Sequence, residues 1–192
     1  SGTADYEINL YDTGAKNNGS DTLTIHGTGE ADTFLLRANE FKVTQHGAIE
    51  SVSLNTLTDA GMFTANLAGM AVAVLDADGN YVESRTIVSN TADTLPLEGA
   101  GWGDGLPTAG LTYFVYDPAT VAESFLQRAN VPLDRAVKKG FVALLKSGET
   151  DVIERINYDE NINASLHIDG WAGDDRFYSD DTASITVLDG GE

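Results

Sequence analysis

Cysteine is absent from the 192 residues, so disulfides and thiolate metal sites are excluded and redox chemistry leaves no clue to the compartment. Basic residues are scarce: 11 Lys and Arg stand against 30 Asp and Glu, a formal charge of −19. That balance repels nucleic-acid phosphate and anionic lipid, and excludes both as partners. No stretch approaches the ~18 consecutive apolar residues of a membrane span, so no membrane insertion is expected. Ser1-Gly2-Thr3-Ala4-Asp5 has neither the basic nor the apolar segment of a secretory leader, which places any export signal outside this stretch. H-E-x-x-H, G-x-S-x-G, P-loop and dinucleotide patterns are also missing, and His26, His46 and His167 have no sequence-local partners. With 30 acids in the chain, carboxylate pairs arise by chance, so they do not by themselves point to glycoside hydrolysis. The expectation is a protein that is not an enzyme.

Apolar residues make up 42% of the sequence, enough for a buried core, and the length fits one domain. Two carboxylates ~4 Å apart repel by about 4 kcal/mol at an effective dielectric near 20. Several such pairs would erode a stability of roughly 5–15 kcal/mol. Cations are therefore the natural partners, although an acidic surface kept for solubility would carry the same composition.

The two ends resemble each other. Leu23-Thr24-Ile25-His26-Gly27-Thr28-Gly29-Glu30-Ala31-Asp32-Thr33-Phe34 aligns without gaps on Leu166-His167-Ile168-Asp169-Gly170-Trp171-Ala172-Gly173-Asp174-Asp175-Arg176-Phe177. A third, truncated copy follows, with Leu188-Asp189-Gly190-Gly191 in the places of Ile168-Asp169-Gly170-Trp171. It stops at Glu192 in the middle of the repeat, so both ends read as cut from a longer protein. Each copy alternates apolar and polar residues, turns at glycine and alternates again, the pattern of strand, tight turn and strand.

Between the copies, Ala71 to Leu75 and Tyr81 to Val88 read as two strands of a hairpin joined by Asp76-Ala77-Asp78-Gly79-Asn80. This turn begins like an EF-hand loop, but Ile87 stands where the twelfth-position glutamate belongs, so a hairpin turn is the better reading. A glycine-rich loop from Gly99 to Gly110 precedes a third strand, Leu111 to Tyr116. Asp117-Pro118 then predicts a helix with Val121, Phe125, Leu126 and Ala129 on one face. A second short helix is expected from near Pro132 to Lys138-Lys139 before Gly140. Phe141 to Leu145 and Val152 to Tyr158 return to strand texture. The expected fold is mainly β with a small α component. Residues 1–47 and 141–192 form a β-solenoid-like or β-sandwich scaffold, and 48–140 is an insertion carrying the hairpin and two short helices.

Gly170-Trp171-Ala172-Gly173-Asp174-Asp175-Arg176-Phe177-Tyr178 fits the calcium-binding nonapeptide G-G-x-G-x-D-x-U-x except at the second glycine, where tryptophan stands. The first copy keeps Gly27, Asp32 and Phe34. Glycines let carbonyls converge, aspartate adds a charged oxygen, and the apolar residue anchors the next strand, so a hard ion meets oxygens on a rigid turn. Candidate Ca2+ ligands are Asp169, Gly173, Asp174, Asp175, Asp189 and Asp32. An acidic β-turn without an ion is the plain alternative. Asp159-Glu160 and Asp180-Asp181 are further carboxylate pairs that either complete an ion site or face water.

Together with Asp12-Thr13-Gly14, Asp21 to Ile25, Asp32 to Arg37 and Glu154 to Asp159, this motif resembles the repeats-in-toxin class, especially the giant bacterial surface adhesins with hemolysin-type calcium-binding repeats. The resemblance covers both ends, about half the chain. It implies secretion to the bacterial cell surface, calcium-dependent stiffening, attachment to surfaces or cells, and neighbouring domains of the same giant protein as partners. It also implies that a ligand-binding module can be carried as an insertion in a β scaffold. A monomer is expected. Trp102, flanked by Gly101 and Gly103, is the candidate ligand-binding residue of a rival reading, a glycan- or peptide-binding module. It either stacks on a sugar ring or folds back over the core as a loop anchor.

Overall fold

The computed structural model describes residues 6–11, 18–103, 105–121, 123–127, 131–146 and 153–191. Asp12-Thr13-Gly14, Ala129, Val152 and Glu192 lie outside the described residues. The architecture is mainly β. Among the described residues fifteen strands follow in order: β1 Tyr6–Leu10, β2 Thr22–His26, β3 Asp32–Phe41, β4 Val43–Ala48, β5 Ser51–Ser53, β6 Thr56–Thr58, β7 Ala71–Leu75, β8 Tyr81–Thr86, β9 Thr94–Pro96, β10 Thr112–Tyr116, β11 Val137–Lys146, β12 Ile153–Asp159, β13 Ser165–Asp169, β14 Arg176–Ser179 and β15 Thr186–Asp189. Among the described residues, no helix is long and apolar enough to cross a membrane.

The chain divides into two compact units, one formed by Ser1–Glu40 with Val137–Glu192 and the other by Phe41–Ala136. The boundaries thus fall at 40/41 and 136/137, where the sequence suggests 47/48 and 140/141. The shift has a simple cause. β4 runs antiparallel to β10, with Thr112 opposite Ala48 and Phe114 opposite His46, which draws residues 43–48 into the middle unit.

The outer unit contains two sheets, ordered β1-β12-β11-β3-β14 and β15-β13-β2. Its core gathers Phe34, Leu36, Val142, Leu144, Tyr158, Leu166 and Ile168, drawn from both ends of the chain. The middle unit also contains two sheets, β4-β10-β7-β8 and β5-β6-β9. All five residues of β7 are buried, as a continuous apolar run requires of a central strand. The hairpin is closed by Asp76, whose N–H donates to the Asn80 carbonyl (2.8 Å) and whose Oδ1 accepts from Asp78 N and Asn80 N. Such an Asx turn is what an Asp-x-Asp-Gly-Asn sequence supplies.

Among the described residues only one of the two expected helices is present, and it is broken. Asp117 caps a 3-10 turn at Pro118–Thr120, with its side chain accepting from Ala119 N. Thr120 Oγ1 then donates back to the Asp117 carbonyl, Val121 is extended, and a single turn, α1 Glu123–Leu126, follows. Local side-chain bonds of this kind compete with helix continuation. The helix expected to end at Lys138-Lys139 is instead the start of β11. Gly140 pairs with Tyr158, and a Cβ at Gly140 would lie 2.7 Å from that ring, so the glycine accommodates a tyrosine across the ladder and caps no helix.

Candidate functional site

β2, β13 and β15 lie side by side in parallel, and their register repeats the sequence alignment residue for residue. Leu23 pairs with Leu166, Ile25 with Ile168, and Ile168 with Leu188. At the end of these strands His26, Asp169 and Asp189 occupy one row. The turn that follows is also repeated: Gly27 N donates to the Asp169 carbonyl and Gly170 N to the Asp189 carbonyl, both at 2.7 Å. After the turn, β3 and β14 run parallel with Phe34 opposite Phe177, and their rings stack at 5.2 Å with 6° between planes. The apolar anchors of the two copies therefore hold adjacent turns at strand spacing.

Between the anchored strands lie two carboxylates. Asp32 is buried, its Oδ2 accepting from Thr28 N (2.5 Å) and Thr28 Oγ1 (3.0 Å). Asp175 reaches back to the preceding turn, where its Oδ1 accepts from Asp32 N at 2.8 Å. Its Oδ2 is buried without a hydrogen-bond partner. Glycine makes this closeness possible. A Cβ on Gly27 would lie 2.7 Å from both Asp32 Oδ2 and the Gly170 carbonyl oxygen, and one on Gly170 would run into Asp175 Oδ2. A Cβ on Gly173 would meet the Glu30 carbonyl oxygen at 2.8 Å, so this glycine lets the two turns touch.

The structure brings Asp32 and Asp175 into one linked pair and sets Asp169 beside Asp189 in another row. Asp174 is exposed and belongs to neither. Asp169 Oδ1 accepts from Trp171 N, and Asp189 Oδ1 accepts from Gly191 N, both at 3.0 Å, so each serves first as a turn-forming acceptor. Sequence reasoning does not single out Thr28, which stands at the second-glycine position and supplies two donors to Asp32. Its signal is a hydroxyl four residues before the motif aspartate. His26 is the other omission, and its Nδ1 lies 3.3 Å from Asp169 Oδ2.

Would these residues suit calcium? The donors are all oxygen, as a hard ion demands, and Asp175 holds a buried oxygen that nothing in the protein satisfies. Asp32, Asp175 and the Gly170 carbonyl would be the ligands, a fraction of the six to eight oxygens calcium takes. Among the described residues no group of three or more His, Cys, Asp or Glu side chains gathers to hold a metal. The fit therefore rests on two carboxylates with backbone carbonyls, and the rest of the shell would be water.

Trp102 faces inward. Only 8% of it is exposed; its Nε1 donates to the Ser53 carbonyl (3.3 Å), and Arg85 stacks its guanidinium 5.1 Å from the ring centroid. Arg85 is itself buried and donates to the carbonyls of Glu98 and Leu54. The indole anchors its loop to the core of the middle unit, and little ring surface remains for stacking on a ligand. Comparison with known protein families, characterised proteins and solved structures finds no match to this chain.

Proposed function

We propose that the chain is a non-enzymatic structural module of a secreted bacterial surface adhesin. In this reading the outer unit is a solenoid-type scaffold stiffened by calcium, and the middle unit is a domain carried within it. One observation carries the calcium part: two glycine-aspartate turns stack in register and leave Asp175 Oδ2 buried without a partner. A buried carboxylate oxygen in that condition costs about 1–3 kcal/mol or more. A water or a cation would relieve it, and the surplus of 19 negative charges favours the cation. Bound there, calcium would supply charge neutralisation and a cross-link between turns.

The origin of the core residues supports the scaffold reading. Both ends of the chain share one core, so the outer unit holds its two terminal segments together while the middle unit keeps its own core. Attachment, secretion and the cell-surface location rest on the resemblance of the repeats.

Thermal unfolding in millimolar calcium and in chelator, at matched ionic strength, tests the reading. Calcium at ~100 times its Kd should stabilise by about 2.7 kcal/mol. Asp175→Asn, which keeps the shape and removes the charge, should lose most of that increment. Superimposed transitions of the parent protein in the two conditions would remove calcium from the account.

A further inference from the structure

Trp171 is the one non-glycine among the described residues with positive φ (76°). In the next copy the same position is Gly191, with φ 72°. In these two copies the turn is left-handed, although Thr28 fills the same place in the first copy without positive φ; glycine adopts that backbone freely and a large side chain only under strain. The indole gains little from burial to offset this, because Trp171 is 64% exposed. Strain maintained at an exposed aromatic, where glycine would serve the fold better, directs attention to a role outside the fold.

The surroundings of the ring indicate what it takes. The His26 imidazole lies 6.4 Å away, centroid to centroid, tilted by 48°. Asp169 ties the two together, its Oδ1 accepting from Trp171 N and its Oδ2 lying 3.3 Å from His26 Nδ1. An exposed aromatic ring therefore lies beside an imidazole and a carboxylate, and both polar groups keep spare hydrogen-bonding capacity. A ligand matching this has one apolar C–H face for the indole and hydroxyls at its edge for His26 and Asp169. Among such ring-shaped polyols an anionic one is excluded, because exposed Asp174 and Asp189 on the same turns repel anions.

We propose that Trp171, His26 and Asp169 form a binding subsite for a neutral hexopyranose. This goes beyond the scaffold reading and does not depend on bound calcium. One ring on an open turn binds weakly, so affinity for a glycan would come from several such sites acting together.

The test is ligand-observed saturation-transfer NMR on the full chain with a panel of neutral methyl hexopyranosides, repeated in calcium and in chelator. At least one glycoside should bind in both conditions. Trp171→Gly should weaken that binding by about tenfold or more while the melting midpoint holds or rises, since glycine suits the backbone. Trp171→Phe should retain part of the affinity, and His26→Ala should lower it severalfold. If Trp171→Gly does not fold, the contrast between Trp171→Phe and His26→Ala decides. The proposal is overturned if no glycoside binds, or if binding survives these substitutions undiminished. It is also overturned if sedimentation shows the indole to be a contact between copies that Trp171→Gly abolishes.

Discussion

Gly170 and Gly29 belong to the same repeat pattern yet face opposite constraints. A Cβ on Gly170 would enter the Asp175 carboxylate, whereas one on Gly29 meets nothing within 4 Å. Gly170→Ala should therefore destabilise the protein by about 1–3 kcal/mol by displacing Asp175 from Asp32 N. Gly29→Ala should stay within about 0.5 kcal/mol. Urea denaturation of the two variants side by side checks the pair. Trp102→Ala should cost about 3–5 kcal/mol, as truncation of a buried aromatic does. The motif glycines and aspartates are legible in the sequence because their spacing is local. Which tryptophan faces water is not. That depends on Arg85 and Ser53, residues 17 and 49 positions from Trp102, and on a backbone angle at Trp171 that its neighbours in sequence do not announce.

At the scale of elements, alternation and turn chemistry reveal the hairpin of β7 and β8, the strand β10 and the repeated strands. The gapless alignment of the two ends even gives the register of β2 on β13. The second expected helix fails at the start of β11, whose later residues Phe141 to Leu145 read correctly as strand. Lys138-Lys139-Gly140 carries a helix-ending signal, but Lys138 N donates to Glu160 Oε2 and the Lys138 carbonyl accepts from Glu160 N. A partner strand from 22 positions away thus outweighs the local preference. That placement has a titration consequence. Burial, with Arg155 nearby, lowers the Lys139 ammonium to about 8 from 10.5. Between those values the unfolded chain keeps a proton that the folded protein has released, so stability from this group increases as pH climbs from 8. Tyr158, raised by burial, works the other way above its ordinary value of 10. Chemical denaturation should therefore show stability increasing between pH 8 and 10, and Lys139→Met should flatten that increase. On the acid side, hydrogen bonds from Asn80 hold Asp76 below its usual range, and the bond from Lys138 does the same for Asp181. Their contributions are present above about pH 4 and fade as the pH drops further.

For the whole molecule, charge dominates. With a formal charge of −19, screening by monovalent salt should raise the melting midpoint, since the Debye length shrinks from about 10 Å at 0.1 M to about 3 Å at 1 M. Stabilisation by calcium beyond that of ionic strength alone separates specific binding from screening. The middle unit invites a simpler trial. Leu57, Val72, Val74, Leu95, Tyr113 and Val115 form a core of its own, so residues 41–136 expressed alone should unfold cooperatively in a circular-dichroism melt.

The chain quits the outer unit at the end of β3 and rejoins it at the start of β11, and these two strands are hydrogen-bonded neighbours. Departure and return therefore both fall on adjoining strands of one sheet. Such a socket constrains where the guest begins and ends more than how it folds. Domains of quite different shape could be grafted between Glu40 and Val137 without rewriting the host, which makes this junction the natural place to diversify the protein or to engineer it.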